Sequence, residues 1–157
     1  CDADTPGFQA GIEKMGTGMA AFLAGPDTVS GIGGLDTDNT MSLEQLILDA
    51  EIVGYIQRVL RPFPVTPDTI HLDLLKRLGP AANYLKERHT LLHFREALWS
   101  SNLILREGFV EGKPNEQRVR ERARSRVREI LATHRPEPLA RDVRQEVWKL
   151  AGVQTRE

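Results

Sequence analysis

Two acidic residues stand seven positions apart in a helix that the sequence predicts to begin at Ser42. Glu44 and Glu51 share one side of this helix, with Leu48 and Tyr55 between or beside them, so that side is not an ordinary solvated face. A carboxylate in a first turn is also favoured by the helix dipole alone. Glu44 therefore has two interpretations, a ligand for a cationic group or a structural first-turn acid.

His89 and His93 are four residues apart, a spacing that places two possible metal ligands on one helical face. A third histidine, cysteine or carboxylate at ligand spacing is missing, and so is the H-E-x-x-H pattern. We therefore predict a structural role for both histidines and no protein-bound metal. Cys1 has no histidine partner at a fixed spacing, so its presence alone does not indicate a catalytic thiol.

A basic run lies in the last third of the chain, where arginine occupies every second position: Arg118, Arg120, Arg122, Arg124, Arg126 and Arg128. On a helix this spacing distributes the charges around the circumference. Nucleic-acid binding favours a concentrated basic face interleaved with aromatic residues, which this region lacks. The run predicts a solvated helix and no nucleic-acid partner.

The composition is that of one soluble globular domain, with 40% hydrophobic and 27% charged residues in 157. No apolar run approaches the roughly 20 residues of a membrane span. The single cysteine excludes an internal disulfide and favours a cytoplasmic location. Residues 1–60 hold nine acidic residues against Lys14 and Arg58, whereas residues 61–157 hold nineteen basic residues against thirteen acidic ones. The chain does not begin with Met, and we expect it to be part of a longer protein.

Apolar periodicity and capping signals predict a mainly helical chain. The sequence has one β-like run, near residues 28–33, which ends in glycines and a polar turn. Its strand partner is expected near residue 1 or outside the chain, because one strand is not a sheet. Ser42 and Gln45 have the spacing of a capping box. Helices are predicted near residues 8–24, 43–61, 67–78, 89–99, 115–133 and 139–151.

Several short segments follow one another in a distinctive order, and they begin with Cys1-Asp2-Ala3, Gln9-Ala10-Gly11-Ile12-Glu13-Lys14, Gly33-Gly34-Leu35-Asp36, Ser42-Leu43-Glu44-Gln45-Leu46-Ile47 and Asp49-Ala50-Glu51-Ile52. They continue with Leu72-Asp73, Gly79-Pro80, His89-Thr90-Leu91, His93-Phe94-Arg95 and His134-Arg135-Pro136-Glu137-Pro138-Leu139. Over nearly the whole chain this order resembles the C-terminal part of the trimethylamine methyltransferase family.

The resemblance implies a fold and a reaction. Members of the family are (β/α)8 (TIM) barrels that pass a methyl group from a tertiary or quaternary amine, such as trimethylamine or glycine betaine, to a corrinoid protein. The chain would then be the C-terminal fragment of such a barrel plus a helical extension, mainly α with one or two short strands. Residues 1–61 would hold the last strand and helix elements, and residues 62–157 the extension, in one continuous unit.

The resemblance also implies a site, because barrel enzymes carry their chemistry at the C-terminal ends of strands. Residues 30–36 then become the expected active-site segment, although a tight turn after a strand explains the glycines equally well. No catalytic residue is assigned. The expected substrate-binding residues come from this segment and from the neighbouring elements, and they are Asp2, Ser30, Gly31, Gly33, Leu35 and Glu44.

Two function classes follow. The first is a corrinoid-dependent methyltransferase, whose isolated C-terminal fragment we expect to be inactive and to self-associate through apolar surface that the barrel would cover. The second is a free-standing helical interaction module, or a truncated and inactive relative. Apart from a corrinoid protein and a small methylated amine, the sequence predicts no partner except a second copy.

Overall fold

The computed structural model describes residues 1–108, 111–112 and 114–152. Helices predominate among these residues, as predicted, and two short strands form a hairpin. A single 3₁₀ turn, Tyr84–Lys86, precedes the fifth helix. The elements in chain order are α1 (Phe8–Ala24), β1 (Gly34–Leu35), β2 (Thr40–Met41), α2 (Leu43–Leu60), α3 (Pro67–Ile70), α4 (Leu72–Leu78), α5 (Arg88–Ala97), α6 (Asn115–Thr133) and α7 (Arg141–Leu150).

The ends of the first two long helices follow local signals. Gly25 adopts the left-handed conformation (φ 67°) after α1, and its N–H bonds to the carbonyl of Phe22 at 3.1 Å. The Ser42 hydroxyl caps α2 by accepting the N–H of Gln45 at 3.2 Å. The second half of the predicted capping box is wrong, because the Gln45 side chain bonds Asp49 and the Ser42 N–H donates to the Gly33 carbonyl at 2.9 Å.

The continuous helix predicted for residues 67–78 is also wrong. His71 adopts a left-handed conformation (φ 47°), and its N–H closes α3 on the carbonyl of Pro67 at 2.8 Å. The chain then restarts as α4 and ends at Gly79, where the sequence predicts the stop. A left-handed histidine carries no sequence signal comparable to Gly or Pro, which is why periodicity alone misses this break. The helix over residues 115–133 is as predicted, and the two remaining helices differ from prediction by one or two residues at their ends.

The strand predicted at residues 28–33 lies elsewhere. Gly31 and Gly33 both have positive φ, 89° and 83°, which interrupts an extended backbone. The observed β1 begins at Gly34 and pairs antiparallel with β2, so the partner strand lies just beyond the polar turn. The segment near residue 1 also lies alongside, because the carbonyls of Ala3 and Cys1 accept the N–H groups of residues 36 and 37 at 2.8 and 2.9 Å.

Helices α1 and α2 pack side by side. Ala10 of α1 and Ile56 of α2 are fully buried, and a Cβ added to Gly18 would come within 3.0 Å of the Ile56 Cδ1 atom. The small residues of α1 therefore permit close approach of the two helices. Ala3, Ala10 and Leu35 form the core beneath the hairpin.

Contacts divide the chain into two compact units, residues 1–127 and residues 128–157. The first holds α1 to α5, the hairpin and most of α6. The second holds the end of α6 and all of α7, whose apolar residues Val143, Val147 and Leu150 are exposed. In neither described part does a helix have the length and apolar character needed to cross a membrane. The division at residue 61 stays a prediction.

The glycine turn, residues 31–34, gives a matched pair of substitutions. In Gly33→Ala the new Cβ meets the Met41 Sδ atom at 2.7 Å and the Leu46 Cβ atom at 3.2 Å, in a backbone with φ 83°. In Gly31→Ala the φ is 89° but no atom lies within 4 Å. We expect losses of about 2–4 and about 1–2 kcal/mol in the free energy of unfolding, measured by urea denaturation. Equal losses would show that the close packing at Gly33 is absent in solution.

Exposed apolar side chains on α1 predict self-association of the chain. Phe8, Ile12 and Leu23 are 78%, 57% and 68% exposed. In sedimentation velocity, the sedimentation coefficient should rise with protein concentration, and Phe8→Ser combined with Leu23→Ser should reduce that rise. A monomer at all concentrations would contradict this prediction.

Candidate functional site

A buried carboxylate lies directly beneath the glycine turn. Asp49 of α2 is 3% exposed, and both of its oxygens are fully engaged. Its Oδ2 atom accepts the backbone N–H of Gly33 at 2.7 Å and the ammonium of Lys14 at 2.8 Å. Its Oδ1 atom accepts a proton of the Gln45 side-chain amide at 2.6 Å. One side chain thus joins both helices to the turn.

Lys14 completes the attachment from α1. Its ammonium also donates to the carbonyl of Gly31 at 3.2 Å, while the N–H of Gly34 closes the turn on the same carbonyl at 3.4 Å. Asp49 of α2 therefore binds a backbone N–H of the turn, and Lys14 of α1 binds a backbone carbonyl two residues earlier. We refer to Lys14, Gln45 and Asp49 as the buried polar network.

Sequence reasoning assigned no role to this network. Two signals pointed to it. Gln45 and Asp49 stand on the same stripe of α2 as the fully buried Ile56, and a polar pair on a buried stripe requires partners. Lys14 is the only lysine or arginine among residues 1–57. The network is not fully satisfied, because within the described chain the Gln45 Oε1 atom is buried without a hydrogen-bond donor.

Ser30 and Gly31 are exposed at the front of the turn. They line a cavity of about 280 Å³ together with Cys1, Lys14 and Asp38. Asp2 lies near this cavity, since its two neighbours bond the hairpin, and its own N–H donates to the Glu13 Oε2 atom at 2.6 Å. Asp2 is exposed, so its carboxylate is accessible to a cation.

Gly33 and Leu35 lie behind the exposed surface of the same segment. Leu35 is 1% exposed and packs in the core with Ala3 and Ala10. Gly33 is buried against Met41 and the first turn of α2. These two residues support the segment from below, whereas Ser30 and Gly31 form its surface.

Glu44 points away from the turn. Its two oxygens accept the Nε protons of Arg120 and Arg124 of α6, both at 2.7 Å, and its side chain is 13% exposed. Consecutive helix residues point about 100° apart, which separates Glu44 from the face that carries Gln45 and Asp49. Burial raises the pKa of Glu44, but the hydrogen bonds and charges of Arg120 and Arg124 outweigh it and lower the pKa below the ordinary value.

The arginine run of α6 is not the simply solvated surface that its spacing predicts. Alternate arginines form pairs four residues apart, and each pair shares a face of the helix. One pair binds Glu44, and the other, Arg118 and Arg122, binds Glu107. The hydrogen bonds and charges of this second pair lower the pKa of Glu107. The basic run therefore attaches α6 to the rest of the first unit.

A second cavity of about 480 Å³ lies between α1, α2 and the start of α6. Its lining is mostly apolar, with Phe8, Met15, Tyr55 and Leu103, and Glu51 provides a carboxylate. The Glu51 Oε1 atom accepts the backbone N–H of Asn102 at 3.0 Å. Glu51 thus contacts the loop between α5 and α6, whereas Glu44 contacts α6 itself.

The histidine pair gains a third member from a separate helix. The His71 ring stacks on His89 with centroids 4.6 Å apart and planes inclined by 28°, and His93 lies 4.5 Å beyond His89. Stacked rings direct their nitrogens past one another and not toward a common point. Among the described residues, no group of three or more His, Cys, Asp or Glu side chains is arranged to hold a metal ion.

Along residues 1–156 the sequence matches the trimethylamine methyltransferase family. The chain belongs to this family. A trimethylamine methyltransferase of Methanosarcina mazei is 30% identical over 145 residues, which make up 90% of this chain and 29% of that protein. A trimethylamine methyltransferase of Desulfitobacterium hafniense is 32% identical over 142 residues (88% and 28%). A glycine betaine methyltransferase of the same species is 30% identical over 139 residues (88% and 29%). The chain therefore spans less than a third of the length of these relatives.

Because the chain belongs to the trimethylamine methyltransferase family, the six predicted substrate-binding residues can be compared as parts of one candidate site. The structure brings Ser30 and Gly31 to one exposed surface, with Gly33 and Leu35 buried behind it, and Asp2 is exposed next to Cys1, which lines the same cavity. Glu44 lies on another face of α2, with both oxygens on arginines. Amine binding by these residues stays a prediction in this member of the family.

The ion pairs of Glu44 make stability depend on pH. The pKa of Glu44 in the folded chain lies below its ordinary value of 4.5, so its contribution is present above pH 4.5 and is lost as pH falls through the folded pKa. We expect Glu44→Gln to cost about 1–2 kcal/mol at pH 7 and progressively less toward pH 3. Urea unfolding across this range measures the difference.

The control for this prediction is the same substitution in a chain that carries Arg120→Met and Arg124→Met. There the Glu44→Gln change should cost little at any pH, because its partners are gone. A cost that is independent of pH, or unchanged in that background, would assign the effect to something other than the ion pairs.

Proposed function

We propose that this chain supplies the last strand and helix elements of a methyltransferase that transfers a methyl group from a tertiary or quaternary amine, of the trimethylamine or glycine betaine type, to a corrinoid protein. The observation that carries the proposal is the family match over residues 1–156, with relatives named for both substrates. Because the chain spans less than a third of these relatives, the activity is proposed for a full-length protein.

The order of elements supports a barrel origin for residues 1–61. Helix α1, the segment with the glycine turn and α2 follow one another as helix, extended chain and helix, and the two helices lie side by side. The exposed apolar side chains of α1 provide surface for missing strands to cover. A barrel completed by the missing strands would place this segment at the C-terminal end of its strands, where barrel enzymes carry their active sites.

The contribution of these residues to the reaction is positioning. The nitrogen of a quaternary ammonium, or of a tertiary amine that binds in its protonated form, is already cationic, so the amine leaves as a neutral molecule and needs no further proton from the protein. A pocket for such a group requires a nearby negative charge and a close approach of the backbone. Asp2 offers the accessible carboxylate and Gly31 the bare backbone, while Glu44 is a second candidate carboxylate that would have to leave its arginines.

The corrinoid belongs to a partner in this proposal and serves there as the methyl acceptor. What the chain provides is the surface of Ser30 and Gly31, against which the substrate lies.

The proposal predicts methylation of cob(I)alamin by a full-length protein that carries this chain, with at least one methylated amine from a panel. The measurement is the appearance of the methylcobalamin absorption spectrum. The isolated chain should be inactive, because a barrel active site draws groups from several strand ends and this chain supplies at most two. A full-length protein that is inactive with every amine would contradict the assigned reaction.

Two matched substitutions on one side of α2 test the assigned carboxylate. We expect Glu44→Gln to lower the rate of methyl transfer more than Glu51→Gln, by roughly tenfold, because Glu44 is the nearer to the turn. Steady-state rates with the preferred amine measure both. Equal effects would show that Glu44 is not part of the site, and they would not contradict the assigned reaction.

A further inference from the structure

The ion pair between Lys14 and Asp49 occupies an unusual place. Its side chains are 12% and 4% exposed, in an interface that otherwise contains small and apolar residues such as Gly18 and Ile56. A buried ion pair is a weak source of stability, since well-packed apolar residues of similar volume are often equally stable or more so. Packing of α1 on α2 therefore does not require these two charges.

The hydrogen bonds of Lys14 and Asp49 indicate a different role for this ion pair. Asp49 accepts the N–H of Gly33, and Lys14 donates to the carbonyl of Gly31. Both contacts are to backbone atoms of the glycine turn, which lies on the candidate site. Gln45 fixes the second oxygen of Asp49 and so sets the direction in which the carboxylate points.

The exposed side of the glycine turn, at residues 30–32, makes few other contacts with the helices. A Cβ at Gly31 would meet no atom within 4 Å, and Ser30 and Ile32 beside it are exposed. Residues 28–32 belong to no strand or helix. Besides the bond from the Ser42 N–H to the Gly33 carbonyl, the hydrogen bonds that attach this backbone to the helices among the described residues come from the two charged side chains below it.

We infer that Lys14 and Asp49 are positioning residues for methyl transfer, which act through the backbone of the glycine turn and do not touch the substrate. The inference rests on the proposed function. A displacement of about 1 Å in a reacting group can cost roughly a hundredfold in rate, so a turn held by charged hydrogen bonds in two places gives a large effect from outside the substrate pocket.

The decisive variant is Lys14→Met combined with Asp49→Leu in the full-length protein. Met is close to Lys in size and Leu is somewhat larger than Asp, and the variant removes both contacts to the turn. We expect a melting temperature near that of the wild type, faster hydrogen exchange at the Gly33 amide, and a kcat lower by roughly tenfold or more. A purely structural pair would change the melting temperature and leave kcat of the folded protein unaltered.

A milder variant covers the case in which the double variant does not fold. In Asp49→Asn only one oxygen remains, so the side chain can accept from Gly33 or from Gln45 but not from both. Exchange at the Gly33 amide and kcat should then change together, by less than in the double variant. The matched control is Arg77→Met with Glu87→Gln, an exposed ion pair between α4 and the residue before α5, which should change neither quantity.

The outcomes separate the two proposals. A wild-type full-length protein without methyl transfer would overturn the proposed function, and this inference with it. If the wild type is active, an unchanged kcat in the folded double variant would overturn the inference and leave the proposed function in place. An equally protected Gly33 amide in wild type and the double variant would overturn it as well, whatever the activity.

Discussion

The carboxylate of Asp49 is the interaction on which the position of the glycine turn depends. It is buried, and it meets an ammonium from α1, an amide from its own helix and a backbone N–H from the glycine turn. A buried carboxylate without such partners would carry a large desolvation cost, so the three donors and the acid must assemble together. The placement of the glycine turn against α1 and α2 follows from that requirement.

The same principle recurs at the surface, where charges are less costly. Glu44 and Glu107 each bind two arginines of α6 that lie four residues apart. The Glu44 contacts connect the basic helix to the acidic first half of the chain, whereas those of Glu107 join two segments of the second half. Partly exposed ion pairs of this kind contribute modestly to stability, but they fix the angle at which a helix is attached.

Membership of the trimethylamine methyltransferase family and the exposed apolar side chains of α1 agree with each other. In the proposed full-length methyltransferase, further elements would cover these apolar faces. The polar surface of Ser30 and Gly31, in contrast, lies over the buried polar network, and contacts within this chain hold its backbone. Support for the candidate site and burial of the apolar faces thus come from different parts of a full-length protein.

The sequence by itself determined the features that arise from neighbouring residues. Gly25 and Gly79 end helices, Ser42 begins one, and α6 follows its periodicity, because caps and helical hydrogen bonds join residues at most a few positions apart. The order of short segments also indicated the family. Tertiary structure decided the partners of Lys14, Asp49 and Glu44. The pair Lys14–Asp49 spans 35 positions of the chain, Gly33–Asp49 spans 16, and Glu44–Arg124 spans 80. Local spacing contains no information on such distances, since which charges meet is set by how helices pack.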